Sequence, residues 1–104
     1  MKVTDVQYKE ALLKAKDIQV EYVKSGCGRV YVEIIKPKIR KNSSIEKVIN
    51  SFGYRMTSRP YHSGNSRIYV GYDNANGKAL REGKQIAKAL TEIGVSCYSD
   101  GDDD

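Results

Sequence analysis

The sequence predicts an α+β domain, with one mostly antiparallel sheet, helices packed on one of its faces, and a further helix at the N-terminal end. Two periodicities and a recurring punctuation predict it. Apolar residues return at i, i+3, i+4 and i+7 in three stretches, which gives a helix one buried face, and they alternate with period two in the runs between. A glycine follows two of the helical stretches just where a left-handed cap would stop them. At 104 residues the chain is long enough to bury one ordinary core without disulfide or metal staples.

Thr4-Asp5-Val6-Gln7 has the spacing of a capping box, and Tyr8, Ala11, Leu12 and Ala15 then share one helical face that ends near Lys16. Period-two alternation follows in Ile18-Gln19-Val20-Glu21-Tyr22 and again in Val30-Tyr31-Val32-Glu33-Ile34. With Ser25-Gly26-Cys27-Gly28 between them, the two runs read as a hairpin. Val30, Val32 and Ile34 share one side of their strand, while Tyr31 and Glu33 point to the other. Pro37 lacks a backbone donor and restrains Lys36 to extended geometry, so this strand should stop there. Ser43-Ser44-Ile45-Glu46 is a second capping box, opening a helix with Ile45, Val48, Ile49 and Phe52 on one face and Gly53 at its end.

A strand over 54–58, turn chemistry from Arg59 to Ser66 and a strand over 67–72 come next. Asn76 is placed to cap a long helix whose buried stripe is Leu80, Gly83, Ile86, Ala87, Leu90 and Ile93. Gly94 closes it, and Val95-Ser96-Cys97-Tyr98 forms a last short strand. The helix–glycine–strand order of 45–53 recurs in 86–94, so the pattern reads as a doubled β-β-α unit. From residue 29 the order β-α-β-β-α-β resembles the split βαβ arrangement of ferredoxin-like domains. In that arrangement the first strand already has two neighbours, yet the run 18–23 asks for one of those places. Residues 1–99 are expected to form one compact domain, and 100–104 a disordered acidic tail.

Composition narrows the function classes. No apolar run approaches a membrane span, and MKVTDVQYKE holds no apolar signal region, which predicts a cytoplasmic protein. Cys27 and Cys97 are expected as free thiols. His62 is the only histidine and stands in a Pro/Gly loop without Cys or Asp beside it, so no nucleophilic constellation is assembled. Three potential N/S ligands fall short of a structural zinc site. We therefore expect a non-enzymatic protein without metal or cofactor.

The charge is concentrated. Lys36, Lys38, Arg40, Lys41, Lys47, Arg55, Arg59 and Arg67 stand against Glu46 alone between residues 36 and 67, a net +7 in a chain whose total is +5. Such a patch speaks to partners rather than to fold. Eight tyrosines with one Phe and no Trp favour rings with a polar tip, suited to half-exposed surfaces. Single-stranded nucleic acid is held by a cationic track for phosphates and aromatic rings for bases. Lys36, Lys38, Arg40, Lys41, Arg55, Arg59 and Arg67 would form the track, while Tyr31, Tyr61 and Tyr69 would stack.

Val30-Tyr31-Val32 and Arg67-Ile68-Tyr69-Val70-Gly71-Tyr72 resemble the two aromatic strand motifs of RNA-recognition domains, over two strands only and without the Gly-Phe core of the longer motif. The expected partner is RNA or single-stranded DNA. The alternative is a protein-binding module, such as a small inhibitor docking basic Arg/Tyr-rich loops on an acidic partner, because Arg and Tyr also dominate protein interfaces.

Overall fold

The computed structural model describes residues 3–20, 27–57, 65–74 and 77–101. In chain order these form α1 (Asp5–Ala15), β1 (Cys27–Lys36), α2 (Ser44–Ser51), β2 (Arg55–Thr57), β3 (Ser66–Asn74), α3 (Lys78–Glu92) and β4 (Ser96–Gly101). The four strands make one open antiparallel sheet in the order β2-β3-β1-β4.

Local chemistry sets the helix ends. The Thr4 hydroxyl accepts the Gln7 N–H at 3.2 Å while the Gln7 side chain accepts the Thr4 N–H at 2.8 Å, a complete capping box. At α2, Ser43 Oγ accepts from Glu46 N at 3.3 Å, and the Glu46 carboxylate reaches one residue further back, to Asn42 N at 2.9 Å. Gly53 and Gly94 follow their helices with φ of 88° and 99°, a conformation in which a Cβ would be strained. The long helix starts differently from expectation. Gly77 is its N-cap and gives no side-chain bond, and Asn76 lies outside the described residues. β1 ends at Lys36, one residue before Pro37.

One expectation is corrected. Residues 18–20 are not a strand, and 21–26 lie outside the described residues, so the hairpin of 18–22 with β1 is not formed over its described part. The reason is competition for edges, since β1 has only two and β3 and β4 occupy both. Ile18 instead closes α1 through its N–H to Ala15 O at 3.1 Å, and its carbonyl accepts Gln85 Nε2 of α3 at 2.6 Å. The doubled β-β-α pattern thus reduces to β1-α2 followed by β2-β3-α3. Among the described residues the sheet stops at Gly101, and Asp100, assigned to the tail on sequence, pairs with Tyr31.

The core lies between the helices and one face of the sheet. Tyr8, Leu12, Ile49, Ile86 and Leu90 join Val32, Ile34 and Ile68 in one buried cluster, with Phe52 and Ile93 packed half-buried against it. The Tyr8 hydroxyl finds no hydrogen-bond partner among the described residues. Cys97 is a free thiol, its Sγ directed at Ala87 O of α3. Gly83 sets how closely α3 approaches, because a Cβ there would stand 2.9 Å from Val30 Cγ1 and 3.6 Å from Ser99 Cβ. Val30 is buried and β-branched, so it has little freedom to yield. Gly83→Ala should cost about 1–3 kcal/mol from overpacking against about 1 kcal/mol returned by better helix propensity. A net destabilisation is expected, read as a lower urea midpoint at unchanged m-value.

Candidate functional site

Alternation along the strands sends one set of side chains into the core and the other to the opposite face, where no described helix lies. Strand register arranges that second set in two rows. Arg55, Tyr69, Tyr31 and Asp100 are successive partners across β2, β3, β1 and β4, and Arg67, Glu33 and Tyr98 form the row beside it. Cations thus fall on the β2–β3 half and carboxylates on the β1–β4 half.

The centre of this face is tightly built. The Arg67 guanidinium lies over the Tyr31 ring, 4.1 Å from its centroid, and its Nε donates to Glu33 Oε1 at 2.9 Å. A planar cation fixed by a carboxylate and seated on an aromatic face combines two geometric preferences of arginine. Tyr69 meets Tyr31 edge-on, with centroids 6.1 Å apart and planes at 65°. Glu33 is only 3 % exposed. Its Oε2 accepts Asn65 Nδ2 at 3.3 Å and also the Tyr98 hydroxyl. Burial pushes the Glu33 carboxyl up, but hydrogen bonds from Tyr98, Arg67 and Asn65 outweigh it and hold the group below the usual carboxylate range. The same contact, together with burial, pushes the Tyr98 phenol up to about 12.

The expected binding residues are distributed unevenly. Tyr69 and Arg67 are half-buried on the helix-free face, while Tyr31 is 5 % exposed and serves as the floor beneath Arg67. Arg55 is exposed on β2 and lines, with Lys41, Glu46, Asn50, Gly53, Tyr54 and Met56, an open groove of about 560 Å³ beside α2. Tyr54 is held there by its hydroxyl, which donates to Glu82 Oε1 at 2.5 Å; burial and this carboxylate both raise its pKa. Lys36, Lys38 and Arg40 are exposed in and after the end of β1. The stretch is tied to the fold, because Ile39 between them is 4 % exposed in the core and Arg40 O accepts from Ser43 N at 3.2 Å. Arg59 and Tyr61, with His62, lie outside the described residues.

Sequence reasoning missed two members of the site. Glu33 was placed on this face by its period, but nothing in the local sequence marks it as the partner of Arg67. Tyr98 stands on β4 with 44 % of its surface exposed, and the register alone brings it opposite Glu33. Among the described residues no group of His, Cys, Asp or Glu is arranged to hold a metal ion, and no helix is long and apolar enough to cross a membrane. Neither a family model, nor a curated protein, nor a solved structure matches this chain.

Proposed function

We propose that this domain is a non-enzymatic binding module for single-stranded nucleic acid, RNA or single-stranded DNA, held against the helix-free face of the sheet. The observation that carries the reading is the row Arg55–Tyr69–Tyr31, in which a cation and two aromatic rings succeed one another across three strands with Arg67 stacked on the third. A base on Tyr69 would have Arg55 beside it for a phosphate, and Lys41 stands behind Arg55 in the same groove. Lys36, Lys38 and Arg40 extend the cationic border past the end of β1. In the same reading the fold is ferredoxin-like with an added N-terminal helix. Its support is the order β1-α2-β2-β3-α3-β4 combined with the sheet order β4-β1-β3-β2.

The protein-binding alternative draws on one observation of its own. β2 has a strand neighbour on one side only among the described residues, and the Lys41–Arg55 groove runs beside it. An acidic extended segment added there would be a strand-addition complex.

Salt separates the two readings. For nucleic acid, neutralising Lys41 and Arg55 together should weaken binding to all sequences alike and lower the salt slope by about 0.7 per lost phosphate contact. Tyr69→Ala should cost about 1–3 kcal/mol with the slope unchanged, since stacking releases no counterions. If the wild-type protein has no affinity for oligo(U) or oligo(dT) at low salt, the nucleic-acid reading is wrong and the protein-binding one takes its place.

A further inference from the structure

We propose that Tyr98 is a second base-stacking residue and that bound single-stranded nucleic acid crosses the sheet diagonally, from Arg55 and Tyr69 to Tyr98 and Lys36. This rests on the nucleic-acid reading and names the path within it. Tyr31, one of the three rings expected to stack, is covered by the Arg67 guanidinium. Tyr98 is the opposite case, with 44 % of its surface exposed on the same face. Its hydroxyl donates to Glu33 Oε2, and the Glu33 carboxylate is itself buried and fixed by Arg67 at Oε1 and Asn65 at Oε2. With the tip anchored in a buried carboxylate, what Tyr98 exposes is ring rather than hydroxyl. A ring held still before the ligand arrives loses little conformational freedom on binding, which favours stacking.

The charges around the two rings select the diagonal. Arg55 is the neighbour of Tyr69 at one corner, and Lys36 pairs with Ser96, two residues before Tyr98, at the other. Ile35, 40 % exposed, stands next to Lys36 in the chain. The remaining corner on β4 holds Asp100, opposite Tyr31, where a phosphate would be repelled. Tyr69 and Tyr98 are separated by two strand spacings and one two-residue step, about 12 Å. Successive stacked bases are ~3.4 Å apart along a strand, so bases on the two rings belong to a splayed single strand. The stacked Arg67, its side chain 25 % exposed, lies between them. A duplex cannot open in this way, and weak binding of duplex is expected.

The test is fluorescence anisotropy of labelled oligo(dT) and oligo(U) across a salt series, on full-length wild type, Tyr98→Ala, Tyr98→Phe and Tyr69→Ala, with thermal melts to confirm folding. Tyr98→Ala should lose about 5- to 150-fold in affinity, the worth of one base–ring stack, at unchanged salt slope. Tyr98→Phe, which keeps the ring and loses the hydroxyl, should bind within about threefold of wild type, well short of the loss of a stack. If Tyr69→Ala weakens binding and Tyr98→Ala does not, the diagonal path is wrong while the nucleic-acid reading stands. If Tyr98→Phe loses as much as Tyr98→Ala, the residue acts by positioning Glu33 and the stacking role is overturned. Absence of wild-type binding ends both proposals.

Discussion

Leu90→Ala should destabilise the domain by about 2–5 kcal/mol, the range for emptying a well-packed leucine site. Leu90 lies on α3 at 0 % exposure, in the cluster that Tyr8 and Leu12 of α1, Ile49 of α2 and Val32, Ile34 and Ile68 of the sheet all share. Because three helices and two strands meet in that cluster, no single side chain can move in to fill the cavity without unpacking another element. Alanine's better helix propensity returns only a few tenths of a kcal/mol. In a domain of this size each 1 kcal/mol lowers the melting temperature by roughly 4–8 °C, so the variant should melt well below wild type. Leu13→Ala is the matched control, a leucine 52 % exposed on α1, and should stay within about 0.5 kcal/mol of wild type. Equal effects at the two positions would mean that the helices are not packed on the sheet as described.

Glu33→Gln should cost about 2–4 kcal/mol near neutral pH, somewhat below the full penalty for breaking a buried ion pair. The Glu33 side chain is 4 % exposed and that of Arg67 is 25 % exposed, so water relieves part of the orphaned cation's cost. The pH dependence gives a second reading. The folded-state pKa of Glu33 is depressed relative to the unfolded chain, so its contribution is fully present above the unfolded value of about 4.3 and is lost as pH falls through the folded one. The gap between wild type and Glu33→Gln should therefore close as the medium is acidified below about pH 4. A constant gap would show that the loss comes from packing and not from the carboxylate charge. Arg67 freed from Glu33 should also leave the Tyr31 ring less firmly covered, and a rise in Tyr31 accessibility to nitration would report it.

Much of the fold is legible in the chain because its causes are local. Thr4 and Gln7 are three residues apart, so the bonds of their capping box need no contact distant in sequence. The stripe Ile45, Val48, Ile49, Phe52 needs only the helical repeat, Gly53 and Gly94 only their freedom at positive φ, and Pro37 only its missing donor. The two faces of β1 follow from period two, which placed Tyr31 and Glu33 together opposite Val30, Val32 and Ile34.

What the tertiary structure decided depends on contacts far apart in sequence. Residues 18–20 and β4 have comparable strand patterns, and only one of them can take the second edge of β1. β4 has it because α3, seated close over Val30 at Gly83, delivers the chain back to that edge. The basic stretch shows four cations in six residues, yet Ile39 within it is buried in the core. Its two cationic neighbours hide what a single apolar residue does once a core exists to receive it. The centre of the site is the clearest case. Glu33 and Arg67 are 34 residues apart and Tyr98 lies 65 from Glu33, so no local pattern marks them as partners. A carboxylate can be buried on a sheet face only where donors converge on it, and that convergence exists only after β3 and β4 have paired with β1 on either side.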